Sequence, residues 1–241
     1  MAEALIVDNR AAMGDTPGLH ALVIGIGRYP GLPEVGQQGK PHQFGLTSVD
    51  GPAVAAWRLS RTLQTPSTPP AGASWRQPLK TLRLLISPTI TDLSRMPELV
   101  TTPAVLPNVA AVNATAAAWR EDCERSEDEV ALFYFTGHGL LHEGEDCLAC
   151  ADFGLSSAPG NVTLRGSFTL DSLFGALAGP RPGGWPIARR QFWFVDACRI
   201  RTSGATEGKI RQYGGAAQPA RGGRYADGTC RPARHDAWWA V

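Results

Sequence analysis

A histidine and a cysteine, each placed directly behind an apolar run, are the side chains whose chemistry can be combined. His138 stands in Thr136-Gly137-His138-Gly139, after Val130-Ala131-Leu132-Phe133-Tyr134-Phe135. Cys198 stands in Asp196-Ala197-Cys198-Arg199, after Gln191-Phe192-Trp193-Phe194-Val195. A thiol beside an imidazole can lose its proton and become a strong nucleophile, and the imidazolium can then protonate a leaving amine. Gly137 and Gly139 leave the backbone around His138 open to a substrate. The N–H groups of Gly139 and Cys198 are candidates for binding a developing oxyanion. A lone cysteine ending a buried strand is more often an inert core thiol. The pairing with a histidine at a second strand end favours the catalytic reading.

The elements that must position this pair can be read from apolar patterning. Leu19–Ile26, Thr81–Ile86, Val130–Phe135 and Gln191–Val195 are short, nearly continuous apolar runs, as expected of strands buried on both faces. Val54, Trp57, Leu59 and Leu63 recur near helical spacing after Asp50, with Ser48 or Asp50 available as a cap. A second helix is expected over residues 108–125, with Val109, Val112, Ala116 and Trp119 on one face, and a third, capped by Thr169, from Leu170 to Leu177. Strands separated by helices imply an α/β fold with a mostly parallel, doubly wound sheet. Ligands of such sheets sit at the carboxyl ends of strands. If the strands ending at His138 and Cys198 are neighbours, the two side chains share that edge.

Two competing readings involve the same region. His142, Cys147 and Cys150 together with His138 offer four soft ligands, so a zinc-binding domain is one alternative. Against it, Gly139 breaks any helix that would align the histidines, and the segment around Cys147–Cys150 reads as a small strand. Gly25 and Gly27 follow the first strand, but the third glycine and the helix of a dinucleotide site are missing.

The blocks around His138 and Cys198 resemble the histidine and cysteine motifs of the caspase–metacaspase clan of cysteine peptidases. Leu22–Gly27 resembles that clan's first strand, Leu46–Ala53 the segment opening its first helix, and Asp146–Asp152 the stretch after the histidine. The agreement covers about residues 19–204, with Ile200 departing from the Ser or Gly of many relatives. The resemblance implies a three-layer αβα sandwich, a Cys198–His138 dyad and a protein or peptide substrate. Asp196 stands where caspases have glutamine and metacaspases aspartate, and Asp50 resembles a metacaspase pocket acid. Two carboxylates would select an Arg or Lys before the cleaved bond. Taken alone, Asp196 can instead hydrogen-bond its loop and Asp50 can cap its helix. A catalytically silent interaction module is the alternative from another functional class. No cofactor is expected, and calcium dependence is left open because no acidic cluster for it is visible.

Composition bounds the rest. The chain has 241 residues, 43% of them apolar, enough to bury a core. Its net charge of +1 argues against a nucleic-acid-coating protein. Five cysteines, an odd number, argue against a disulfide framework, and no apolar run is long enough for a membrane span. With no secretory signal visible at the start, a cytoplasmic protein is expected. Its Ala-, Gly-, Pro- and Arg-heavy usage suggests a bacterial source, where domains of this resemblance serve defence or programmed death.

Residues 1–18 read as a polar leader and 19–241 as one peptidase domain. Residues 201–234 form a basic, Gly/Arg-rich loop, with Arg201, Lys209, Arg211, Arg221, Arg224, Arg231 and Arg234 against Glu207 and Asp227. Ala237-Trp238-Trp239-Ala240-Val241 then resembles the start of a further strand. The expectation is that the domain continues beyond this chain or in a second chain that supplies the remaining strands.

Overall fold

A computed structural model describes residues 4–65, 77–155, 164–178 and 187–202. Of the loop expected over 201–234 only residues 201 and 202 are described, and the segment Ala237–Val241 lies outside the described residues.

The apolar runs form the strands of a five-stranded sheet. In chain order these are β1 (Leu5–Asp8), β2 (Leu19–Ile26), β3 (Leu79–Ser87), β4 (Val130–Gly137) and β8 (Arg190–Ala197). Their spatial order is β1-β3-β2-β4-β8. The last four run parallel, as segments joined through helices must. Strand β1 pairs antiparallel with β3, so the expected polar leader contributes an edge strand. Its Ile6 and Val7 pack against the core, and charge adds to the pairing. Arg10, in the short helix α1 (Arg10–Met13), bridges Asp8 at 2.5 Å and Asp122 at 2.8 Å.

Helix α2 (Pro52–Gln64) covers one face of the sheet, burying Ala53 and Ala56 against Ala21, Val23, Leu82, Leu84 and Leu132. A β-carbon on Gly25 would stand 2.4 Å from the Pro52 carbonyl oxygen, so this glycine serves helix–strand packing. The opposite face packs Leu22, Ile24, Phe133 and Phe135 beneath α5 (Val109–Cys123) and α6 (Leu170–Ala178). Trp119 is buried there, and the partly buried Trp193 packs edge-on against its ring. This is the expected α/β sandwich of three layers.

Asn108 and Thr169 cap α5 and α6 as their positions suggest, each accepting a backbone N–H with its side-chain oxygen. Besides α1, two short helices add to those expected, α3 (Ile90–Arg95) and α4 (Glu98–Thr101). The first is closed by a reciprocal capping pair between Thr89 and Asp92.

At the amino ends of the strands lies a buried charge network. Glu129 accepts from Lys80 Nζ at 2.8 Å and from the Gly18 N–H at 2.5 Å, and its carboxylate stands 3.2 Å from His20 Nε2. Beside it Asp122 holds Arg83 at 2.8 Å. Among the described residues no helix is long and apolar enough to cross a membrane.

Candidate functional site

The site begins where β4 and β8 run out. Their register pairs Thr136 with Asp196 and Gly137 with Ala197. Beyond the sheet both chains stay side by side as strands of a second, four-stranded sheet, ordered β7-β6-β5-β9. Its strands are β5 (Gly139–His142), β6 (Glu145–Ala149), β7 (Ser167–Thr169) and β9 (Ile200–Arg201). Leu140 pairs with Ile200 in parallel, and the Thr202 N–H donates to the Leu141 carbonyl at 3.1 Å. The offset of 60 residues is thus the same before and after the step between the sheets (137 to 197, 140 to 200). The step carries His138 on one segment and Cys198 on the other, so both stand at the carboxyl ends of neighbouring strands.

The glycines flanking His138 have different tasks. A β-carbon on Gly139 would lie 2.1 Å from the Cys198 carbonyl oxygen, so only glycine lets the cysteine segment approach this closely. A β-carbon on Gly137 would lie 2.7 Å from the Tyr29 hydroxyl. The space beside each glycine is therefore filled by protein.

His138 has a defined tautomer. Its Nε2 lies 2.6 Å from the Thr47 carbonyl oxygen, which can only accept, so Nε2 carries the proton. In the neutral ring Nδ1 is then the basic nitrogen. Burial holds the imidazole pKa below its usual value, and the bond to Thr47 opposes that in part. Cys198 is half-buried, whereas Cys123, Cys147 and Cys150 are buried, and burial pushes the Cys147 thiol up to about 12. Among the four described cysteines, Cys198 alone combines partial exposure with the histidine's edge. Arg199 ties the segment to β6 through Asp146 at 2.6 Å.

The two carboxylates lie at the carboxyl edge of the sheet but over different strands. Asp196 is exposed at the end of β8 and receives a long hydrogen bond, 3.4 Å, from the Thr136 hydroxyl on β4. Its charge also pushes the half-buried Tyr134 hydroxyl upward, second to the effect of burial. Asp50 precedes α2 and does not cap it. Gly51 is the N-cap, with Pro52 in the first turn and no side-chain cap. Asp50 instead accepts from the Thr89 hydroxyl at 2.5 Å, and the Gly51 N–H donates to Asp92 at 2.9 Å. Thr89 follows β3, two places from β4 in the sheet order.

The zinc alternative finds no set of ligands here. His142 Nδ1 pairs with the Thr202 hydroxyl at 2.9 Å, and among the described residues no group of three or more His, Cys, Asp or Glu side chains could hold a metal ion. Thr47 and Tyr29 are the neighbours of His138 that sequence reading missed. Thr47 acts through its carbonyl, which any residue type supplies. Tyr29 had one visible sign, an aromatic residue three places past a buried strand in a loop of glycine and proline.

A family model described as a caspase domain matches residues 19–237. A search of curated proteins returns no match.

Proposed function

Since the chain belongs to the caspase domain family of cysteine peptidases, we propose that it is an endopeptidase using Cys198 and His138 and cleaving after Arg or Lys. The observation that carries the reading is the shared register of the two residues, joined to the Thr47 bond that leaves Nδ1 of His138 basic.

In this mechanism Nδ1 takes the Cys198 thiol proton and the thiolate attacks the carbonyl carbon of the scissile bond. The carbonyl oxygen becomes an oxyanion, which the N–H groups of Gly139 and Cys198 would bind. The tetrahedral species collapses, the carbon–nitrogen bond breaks, and the imidazolium gives its proton to the leaving amine. Water, deprotonated by His138, then attacks the thioester and releases the acid with the free thiol.

Asp196 is the residue proposed to pair with the basic side chain before the cleaved bond, because it is exposed at the carboxyl end of the strand that delivers Cys198. Asp50 has the weaker claim, since Thr89 holds it at 2.5 Å whereas Thr136 reaches Asp196 only at 3.4 Å.

The test is covalent labelling with peptides ending in an arginyl or an aspartyl chloromethyl ketone. Modification of Cys198 by the arginyl reagent, lost in Cys198→Ala, is the expected result. Preference for the aspartyl reagent would refute the specificity. Failure of both with a folded protein would point to a module that acts by binding.

A further inference from the structure

We propose that Tyr29 is the positioning residue of His138, holding its backbone and, through the neighbouring loop, the carbonyl that fixes its ring. The inference rests on the His138–Cys198 dyad proposed above.

Tyr29 is 0% exposed, and its hydroxyl oxygen accepts the His138 N–H at 2.8 Å. Its ring lies against the imidazole, with centroids 4.9 Å apart and planes inclined by 33°. The Tyr29 N–H donates to the Ser48 hydroxyl at 3.2 Å. Ser48 follows Thr47, the residue whose carbonyl holds Nε2. One side chain thus binds the histidine's amide while its own amide anchors the segment that orients the ring. Gly137 belongs to the same device, because a β-carbon there would intrude on the hydroxyl at 2.7 Å. Burial holds the phenol far above its ordinary range, so it stays protonated.

A tyrosine that merely fills space would tolerate loss of its hydroxyl. A positioning tyrosine would not, because an unmade bond at a buried N–H lets the histidine shift, and a displacement of about 1 Å can cost ~100-fold in rate.

The experiment is Tyr29→Phe, assayed with an Arg-ended peptide substrate and normalised by active-site titration so that only folded enzyme is counted. The expected result is a kcat lower by ~10–100-fold with KM within about twofold. The pH midpoint of Cys198 alkylation by iodoacetamide should also move upward, as the histidine's hold on the thiol loosens. A kcat within twofold of wild type and an unmoved alkylation midpoint would overturn the inference and leave the dyad standing. A wild-type protein that neither cleaves nor is labelled at Cys198 would overturn the dyad, and Tyr29's role with it.

Discussion

The Cys198 carbonyl oxygen lies 2.1 Å from the point where a β-carbon on Gly139 would stand. Histidine strand and cysteine strand therefore touch through backbone. Gly139→Ala should force them apart and lower kcat/KM by ~100-fold or more, the scale expected when reacting groups are displaced by an ångström. Steady-state kinetics beside a thermal melt would check it. Wild-type kinetics in this variant would show that the approach has no bearing on the site.

Asp196→Asn should raise KM for Arg- and Lys-ended peptides, because a charge-assisted hydrogen bond gives way to a neutral one. A loss of ~1.5–3 kcal/mol corresponds to about 10–100-fold. Asp50→Asn should have the smaller effect, given its engagement with Thr89. Both variants would be measured on peptides that differ only in the residue before the cleaved bond.

His20 and His138 give the protein two acid dependences, one of stability and one of activity, that can be read separately. Burial depresses the pKa of both His20 and His138. Each binds its proton more readily when unfolded, so their stabilising contribution is complete above pH ~6.5 and declines as pH falls through the folded-state values. Glu129, Lys80 and Asp122 surround His20, with Glu129 and Asp122 opposing the depression and Lys80 adding to it. His20→Gln should flatten the fall of melting temperature below pH ~6.5. The acid limb of kcat/KM, set by neutral His138, should lie below pH ~6.5 and stay unmoved by that change. A pH–rate profile and melts over the same range test both halves.

Glu129 and Lys80 are each 1% exposed, and removing one charge strands the other. Glu129→Gln should cost about 3–5 kcal/mol, and adding Lys80→Met should restore part of it. Chemical denaturation of the two variants would measure this. A single variant as stable as wild type would mean that the pair is not coupled in the fold.

Much of this architecture was legible because apolar period and capping chemistry are local signals. The continuous runs at Leu22–Ile26 and Phe133–Phe135 could be read as strands, and Asn108 as the start of a helix. Other features depend on partners distant in the chain. Leu5–Asp8 is a short apolar run between polar residues, and it becomes a strand because β3 offers a backbone edge, the core takes Ile6 and Val7, and Asp122 is a counter-charge for Arg10. Asp50 looks like a cap, yet Pro52 and Gly51 start the helix while Asp92, over forty residues away, takes the Gly51 N–H. In the site, His138 and Cys198 carry their chemistry in their names. The Thr47 carbonyl does not, and Tyr29 gains its meaning only when the loop folds beneath the histidine.

The constant register along β4–β5 and β8–β9 works as a ruler for the pair. Strands β6 and β7 and helix α6, between the two strands in sequence, pair with or pack against this frame, but the connections joining them lie outside the alignment, so length in those connections can change without altering how far the nucleophile sits from its base. A single residue added inside β8 is another matter. It would slide Cys198 by about 3.3 Å and turn each side chain after the insertion to the opposite face of the sheet. The chain is therefore tolerant of new loops and intolerant of a one-residue slip, which marks out where such a scaffold can be lengthened and where it cannot.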